Sequence, residues 1–126
     1  MQMIIGGANQ GQIAWAKENI RNIQWIDGKT CSYDKIYTCE GIYDFQEYIK
    51  RLMKDEINTD TLAKEMIERN PKLIIVTDEI GYGLVPVERF LRDYREQTGR
   101  ICTELASFSE SVVRVVLGIG TFIKQG

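Results

Sequence analysis

Residues 3 to 13 read Met-Ile-Ile-Gly-Gly-Ala-Asn-Gln-Gly-Gln-Ile, and this stretch decides the fold class. An apolar run that ends in two glycines is typical of a buried strand entering a tight turn. Beyond the turn, Ile13, Ala16 and Ile20 recur at helical spacing, which predicts a helix over residues 10 to 24. The chain therefore opens with a strand, a glycine loop and a helix, a unit typical of parallel α/β sheets.

The rest of the chain continues this alternation of strands and helices. Residues 73 to 77 are apolar throughout, as in strands buried on both faces of a parallel sheet. Residues 111 to 117 and 121 to 124 predict two more strands, the last of them short, and residues 35 to 39 a further short one. Residues 87 to 108 predict a long helix. We expect one domain over residues 1 to 126, with a three-layer α/β fold of the P-loop NTPase type, a mostly parallel sheet and a short C-terminal edge strand.

Two shorter helices are predicted between residues 44 and 71. Asp44 is a candidate N-cap, and Glu47 three residues later completes a capping-box pattern. An apolar stripe follows over residues 45 to 53. A second helical stripe covers residues 62 to 67, and Asn70-Pro71 predicts its end.

Composition and charge exclude several classes of function. A formal net charge of -2 gives no basic surface for nucleic acid, so we expect no nucleic-acid partner. No apolar run is long enough to span a membrane, and no signal-peptide pattern opens the chain, so we expect a cytoplasmic protein. The three cysteines form no CxxC pair, which predicts free thiols and no metal site. The chain has no histidine, which excludes any mechanism that needs imidazole.

The glycine loop has the glycine spacing of a Walker A loop, G-x-x-x-x-G-K-[ST]. Such a loop surrounds phosphates with backbone N–H groups, while its lysine adds positive charge and its hydroxyl binds Mg²⁺. Gln12 occupies the lysine position and Ile13 the hydroxyl position. We therefore expect a degenerate phosphate site with weak or no use of Mg²⁺ and no assigned catalytic residue. Its residues are Gly6, Gly7, Ala8, Asn9, Gln10, Gly11, Gln12 and Ile13.

A second motif carries a family resemblance. Residues 76 to 86 read Val-Thr-Asp-Glu-Ile-Gly-Tyr-Gly-Leu-Val-Pro, which resembles the V-T-N-E-V-G-x-G-x-V-P signature of the adenosylcobinamide kinase/guanylyltransferase family. The likeness continues through Gly99-Arg100 and Gly118-Ile119-Gly120 to Lys124, and it includes the turn at residues 6 to 8. The resemblance implies cobalamin-related substrates, GTP or ATP as the nucleotide, and a homo-oligomer.

The departures from the family bear on activity. Members of the family carry G-K-S in the first loop and use a histidine that takes up GMP, whereas this chain has Gly11-Gln12-Ile13 and no histidine. Members also carry a further strand with an acidic metal-site residue, and residues 26 to 70 offer no clear counterpart. The resemblance therefore implies a pseudoenzyme that binds a nucleotide or a corrinoid weakly. Two alternatives stay open: an active kinase in which Lys17 or Lys124 replaces the missing lysine, and a non-catalytic oligomeric subunit.

The loop after the 73–77 strand is the second candidate site. Asp78 and Glu79 end an apolar strand as a Walker B acid does, so they predict either substrate or metal contact, or capping of the loop. Arg89, with Arg92 and Arg95, predicts either a phosphate contact or a solvated helix face. Trp15 and Trp25 predict either an oligomer contact or partial core. The residues of the second site are Asp78, Glu79, Gly81, Gly83, Pro86 and Arg89.

Overall fold

The computed structural model of the chain describes residues 1–80 and 87–125. Six strands, four α-helices and one 3₁₀ helix lie in these residues. The strands are β1 Gln2–Gly6, β2 Trp25–Asp27, β3 Gly41–Tyr43, β4 Ile74–Asp78, β5 Ser111–Val116 and β6 Ile119–Lys124. The α-helices are α1 Gln12–Asn19, α2 Phe45–Lys54, α3 Leu62–Arg69 and α4 Arg89–Phe108, and the 3₁₀ helix is Tyr33–Tyr37.

The strands form one sheet in the order β2-β3-β4-β1-β5-β6. The first five are parallel to their neighbours, and β6 pairs antiparallel with β5 at one edge. This arrangement confirms the predicted mostly parallel sheet with a short C-terminal edge strand. The edge strand begins at Ile119, two residues earlier than the sequence predicts, because Leu117 and Gly118, both with positive φ, complete the turn.

Helices cover both faces of the sheet, which confirms the predicted three layers. Because successive side chains of a strand point to opposite faces, each central strand contributes to two cores. Ile4 and Val76 pack with Ala16 of α1 on one face. Met3 and Ile75 pack on the other face with the larger core formed by α2, α3 and α4.

The connections place two loops together at the carboxyl edge of β1 and β4. The chain leaves β1 through α1 on one face, and it leaves β4 through α4 on the opposite face to reach β5. Open α/β sheets bind ligands at such a point, where the connections diverge to opposite sides. The glycine loop follows β1, and Asp78 and Glu79 lie at the end of β4, so the fold brings these two acids to the same edge as the glycine loop.

The prediction of a strand over residues 35 to 39 is wrong, because these residues lie in and just after the 3₁₀ helix. The turn buries Ile36 completely. It also places Tyr33 and Tyr37 four residues apart on one side, where Tyr33 packs edge-on against Tyr48 and Tyr37 hydrogen-bonds to Glu65. A β-branched and aromatic run therefore forms a helical turn here because it packs against α2 and α3 instead of pairing with a strand.

The remaining predictions concern cysteines and membrane spans. The three cysteines are free thiols, as the sequence predicts. In residues 1–80 and 87–125, no helix has both the length and the apolar character that crossing a bilayer requires.

Candidate functional site

The glycine loop connects β1 to α1 at the carboxyl edge of the sheet. Gly6 ends β1 in register with Asp78 at the end of β4. Gly11 caps α1 with a left-handed backbone, φ 89°, a conformation that glycine adopts without steric cost. Ala8, Asn9 and Gly11 are exposed. Since the first N–H groups of a helix have no intrahelical acceptor, the loop presents donors to an anion at this edge.

Gln12 fills the position that a lysine takes in a Walker A loop. Its side chain is buried, and its Nε2 lies 3.2 Å from the carbonyl oxygen of Gly6 and 3.1 Å from that of Gly7. The same nitrogen donates to Oδ1 of Asp78 at 2.6 Å. The amide therefore connects the glycine loop to β4 without adding a charge, and it points into the protein.

Two of the glycines are required, one by packing and one by backbone conformation. A Cβ atom on Gly6 would lie 2.8 Å from the backbone oxygen of Val115 in β5. A Cβ atom on Gly11 would make only an ordinary contact, 3.4 Å from Cα of Gly118 in the turn between β5 and β6, and the left-handed φ of 89° is what favours glycine there. Gln10 ties the loop to the same turn, because its backbone oxygen accepts from the Gly118 N–H at 2.8 Å. These contacts explain the glycine spacing without any ligand, and they leave the outer surface of the loop free of this packing.

Asp78 lies at the centre of a group of acidic side chains. Burial raises the pKa of its carboxyl, the neighbouring carboxylates of Asp44 and Glu47 raise the pKa further, and Gln12 and Lys29 oppose the shift. Lys29 brings a positive charge to this group, since its Nζ lies 3.5 Å from Oδ2 of Asp44. Lys29 follows β2, so three different strand ends contribute to one polar cluster.

Asp44 is a site residue that the sequence reasoning assigned to another role. Asp44 is the N-cap of α2, as predicted, but the capping box is not formed: Asp44 has φ 52°, and its side chain makes no capping hydrogen bond to the backbone of the helix. Its carboxylate instead accepts from Nε2 of Gln46 at 3.2 Å and pairs with Lys29. Asp44 follows β3, a three-residue strand whose sequence gives no strand signal. The sequence does offer one signal: Asp44 directly follows the residues of β3, and Asp78 likewise stands at the end of β4.

The second candidate loop is brought to the site only in part. Glu79 forms a two-contact ion pair with Arg114 of β5, at 3.1 and 3.2 Å, and its backbone N–H donates to Gly6. This arrangement favours the loop-capping interpretation for Glu79. Arg89 begins α4 and pairs with Asp93 on the exposed side of that helix, at 3.8 Å. Gly81, Gly83 and Pro86 lie outside the described residues.

The two lysines considered as replacements for the Walker A lysine interact elsewhere. Nζ of Lys17 lies over the ring of Tyr43, 4.9 Å from its centroid. Nζ of Lys124 donates to the backbone oxygens of Ala106 and Ser107 at the end of α4. Both ammonium groups therefore have partners away from the amide of Gln12.

Trp15 and Trp25 belong to the partial core. Both are half-buried and pack against the smaller of the two cores. The ring of Trp15 lies so close to Gly120 that a Cβ atom there would be 2.5 Å away. A Cβ atom on Gly41 would likewise lie 2.7 Å from the ring of Trp25.

The residues at this edge do not fit a Mg²⁺ ion of the Walker type. Ile13 has no oxygen at the position where a hydroxyl would bind the metal. Oδ1 of Asp78 is bound by an amide, and the raised pKa of its carboxyl opposes the charged form that a metal needs. Within residues 1–80 and 87–125, no group of three or more acidic or cysteine side chains is placed to hold a metal ion.

The mostly parallel six-stranded sheet with helices on both faces defines an α/β protein with a P-loop NTPase-like fold. The family model described as "Cobinamide kinase / cobinamide phosphate guanyltransferase" (CobU) matches residues 36–123. Since this match covers most of the chain, the protein belongs to the CobU family. The matched residues include Asp44, Asp78 and all of α4, and they begin after the glycine loop.

Two curated relatives carry the name "Bifunctional adenosylcobalamin biosynthesis protein CobU". The one from Escherichia coli (strain K12) is 36% identical over 86 residues, which cover 67% of this chain and 48% of the relative. The one from Salmonella typhimurium (strain LT2) is 39% identical over 77 residues, which cover 60% of this chain and 41% of the relative. The matched part of the chain thus spans less than half the length of these relatives.

Proposed function

We propose that this chain is a nucleotide-binding pseudoenzyme of the CobU family, which binds the phosphates of GTP or ATP weakly and without Mg²⁺. The observation that carries the proposal is the amide of Gln12, which takes the place of the lysine and donates to Asp78 at 2.6 Å. A lysine there would point a positive charge at the phosphates, and this amide is neutral and fully occupied by protein acceptors. Phosphoryl transfer depends on positioning and charge stabilisation, so its loss follows from the loss of that charge.

Phosphate binding is supported by the exposed part of the glycine loop, which does not pack against the neighbouring strands. The exposed backbone at residues 8 to 11 precedes the first turn of α1, whose N–H groups and dipole attract anions. The loop is held in shape by its bonds to β4 and to the β5–β6 turn, so little ordering is needed on binding. Weak binding that survives without metal is the expected result.

Calorimetric titration with GTP and with ATP, each with and without Mg²⁺, tests the proposal. We expect a Kd on the order of 100 µM for at least one nucleotide, changed little by Mg²⁺. Adenosylcobinamide is titrated in parallel, because a corrinoid is the other ligand class that membership of the family suggests. Turnover of adenosylcobinamide with either nucleotide at an ordinary enzymatic rate, about 1 s⁻¹ or above, would contradict the pseudoenzyme.

A matched pair of variants places the binding at the loop. Ala8 is exposed, so Ala8→Glu adds a negative charge there without disturbing the core, and Ala8→Gln adds the same shape without charge. We expect Ala8→Glu to weaken nucleotide binding at least about tenfold and Ala8→Gln to change it little. Equal binding by both variants would show that the nucleotide binds elsewhere.

A second candidate function is an oligomeric subunit, and the C-terminal hairpin favours it. Apolar side chains are exposed along β5, β6 and their turn: Val116 at 48%, Leu117 at 81%, Ile119 at 70%, Phe122 at 50% and Ile123 at 59%. Because β6 is the edge strand, its outer backbone groups also face outward. Several exposed apolar side chains at one edge of a sheet are typical of a protein contact.

Light scattering after gel filtration tests this second candidate. We expect a dimer or larger assembly at micromolar concentration, and a monomer for Ile119→Lys. Val87 is an exposed apolar residue outside the hairpin, at 91%, so Val87→Lys is the control that should leave assembly unchanged. A wild-type chain that stays monomeric at every concentration would exclude self-association through this hairpin.

A further inference from the structure

A cavity of about 590 Å³ lies between α4 and the sheet, on the face opposite to α1. Met3 and Ile5 of β1 and Val112 of β5 form its floor, and Ile123 of β6 lines it too. Its volume lies within the range of about 300–1,000 Å³ that is typical of small-molecule sites. None of residues 6 to 13 lines the cavity, so it is separate from the glycine loop.

The cavity exists because α4 presents only small side chains over this part of the sheet. Gly99 is exposed, and a Cβ atom added to it would meet no atom within 4 Å, so the cavity opens to solvent beside this residue. Larger residues of the same helix, Ile101 and Leu105, belong to the core that α4 shares with α2 and α3. The small residues that line the cavity from α4 are Thr98, Gly99, Cys102, Thr103, Ala106 and Ser107.

A buried hydroxyl without a partner lies in the wall of the cavity. Thr98 is 1% exposed, and its Oγ1 makes no hydrogen bond within the described residues. The neighbouring Tyr94 hydroxyl donates its proton to the backbone oxygen of Gln46 at 2.8 Å. Burial raises the pKa of Tyr94, and the nearby side chain of Thr98 lowers it, so the two hydroxyls are close. An unpaired buried hydroxyl is costly, and a turn of the Thr98 side chain toward the cavity would let a ligand pair with Oγ1 and remove that cost.

The other lining groups restrict the charge of a ligand. Asp78 and Glu79 lie at one end of the cavity, where they would repel an anion and accept hydrogen bonds. Burial raises the pKa of the Cys102 thiol to about 12, so this lining group is neutral. Lys124, the cation that lines the cavity, already donates to two backbone oxygens.

We propose that this cavity binds a small neutral molecule with a flat apolar body and an N–H or O–H group that hydrogen-bonds with Thr98 or the carboxylate end. The apolar body lies between the small side chains of α4 and the apolar floor of the sheet. The site does not depend on nucleotide binding at the glycine loop, because the two share only the neighbourhood of Asp78.

Three probes of similar size test the chemistry: indole, naphthalene and indole-3-carboxylate. Indole is apolar with one N–H group, naphthalene has no hydrogen-bonding group, and indole-3-carboxylate carries a negative charge. We expect indole to bind with a Kd of about 1 mM or lower by ligand-observed NMR. Naphthalene should bind about fivefold more weakly because it leaves the polar groups unpaired, and indole-3-carboxylate should not bind measurably.

Three variants place the binding in the cavity. Gly99→Leu blocks the open side of the cavity and should abolish indole binding, while Glu104→Leu, at an exposed position of the same helix that does not line the cavity, should not change it. Thr98→Val keeps the shape and removes the hydroxyl, so it should erase the preference for indole over naphthalene. Ala8→Glu should leave indole binding intact even where it removes nucleotide binding. Failure of indole to bind, or equal binding by Gly99→Leu, would overturn the proposal.

Discussion

The glycine loop and the α4 cavity both reach Asp78, and they solve opposite packing problems. In the loop, the polar groups of Gln12 and Gln10 are used by protein partners, and a Cβ atom at Gly6 would lie 2.8 Å from the backbone oxygen of Val115. At the cavity, a Cβ atom at the exposed Gly99 would meet nothing, and the hydroxyl of Thr98 has no partner among the described residues. The glycine spacing of residues 6 to 11 therefore marks a filled region, whereas Gly99 marks an open one.

Alanine at Gly6 should have the largest effect on stability. The added Cβ atom would lie 2.8 Å from the backbone oxygen of Val115, which can move only with β5. We expect a loss of about 3 kcal/mol in the free energy of unfolding, measured by denaturant titration. Gly7→Ala is the control, because its Cβ atom would meet only Gln10 at 3.6 Å. Equal losses in both variants would show that the loop is not packed against β5 as described.

Methionine at Gln12 should have the next largest effect. Methionine keeps the length of the side chain but leaves Asp78 and the oxygens of Gly6 and Gly7 without the amide donor. The expected loss is about 2 kcal/mol, since a hydrogen bond to a charged group contributes more than a neutral one. Gln10→Met should cost less, because that side chain is more exposed. A larger loss for Gln10→Met than for Gln12→Met would argue against Gln12 as the main link between the loop and β4.

Alanine at Gly99 should act in the opposite direction. The position is inside α4 and faces open space, so alanine gains helix propensity without a clash. We expect a gain of about 1 kcal/mol in the free energy of unfolding by the same titration. A loss of stability would mean that the space beside Gly99 is closed in the folded protein, and it would contradict the cavity as well.

The smallest effect should be the pH dependence contributed by Asp78. Because burial raises the pKa of its carboxyl, the folded chain holds this proton more tightly than the unfolded chain. The stability from protonated Asp78 is complete below its unfolded pKa of about 3.9 and is lost as the pH rises through the raised value. Asp78→Asn, which has no such titration, should therefore gain stability relative to wild type as the pH rises from about 4 through the raised pKa. A loss of stability of Asp78→Asn relative to wild type as the pH rises would show that folding lowers the pKa of Asp78.

The sequence predicts the parts of the fold that carry long, regular patterns. The apolar run at β4 and the helical spacing of α4 are unambiguous, so the three layers and the mostly parallel sheet follow from them. The strands β2 and β3 have three residues each, too few to show a period, and they form because neighbouring strands offer a ladder. Tertiary packing likewise turned residues 33 to 37 into a helical turn.

The sequence predicts the candidate site only at residues that belong to a recognisable motif. The glycine spacing and the missing lysine and hydroxyl are visible in the sequence, and the structure adds where the amide of Gln12 points. Asp44 and Lys29 were not found, because their meeting depends on two short strands lying side by side. Sequence patterns do not reveal the cavity, whose one local sign is a glycine, Gly99, inside the helical pattern of α4.

The Mg²⁺ dependence of GTP binding, compared between wild type and the double variant Gln12→Lys with Ile13→Thr, tests the central claim most directly. The variant restores the charge and the hydroxyl of a Walker A loop at the two positions that lack them. We expect wild-type affinity to be nearly independent of Mg²⁺, and the variant to bind about tenfold to a hundredfold more tightly with Mg²⁺ present. Wild-type binding that already requires Mg²⁺, with no gain in the variant, would contradict a degenerate phosphate site at this loop.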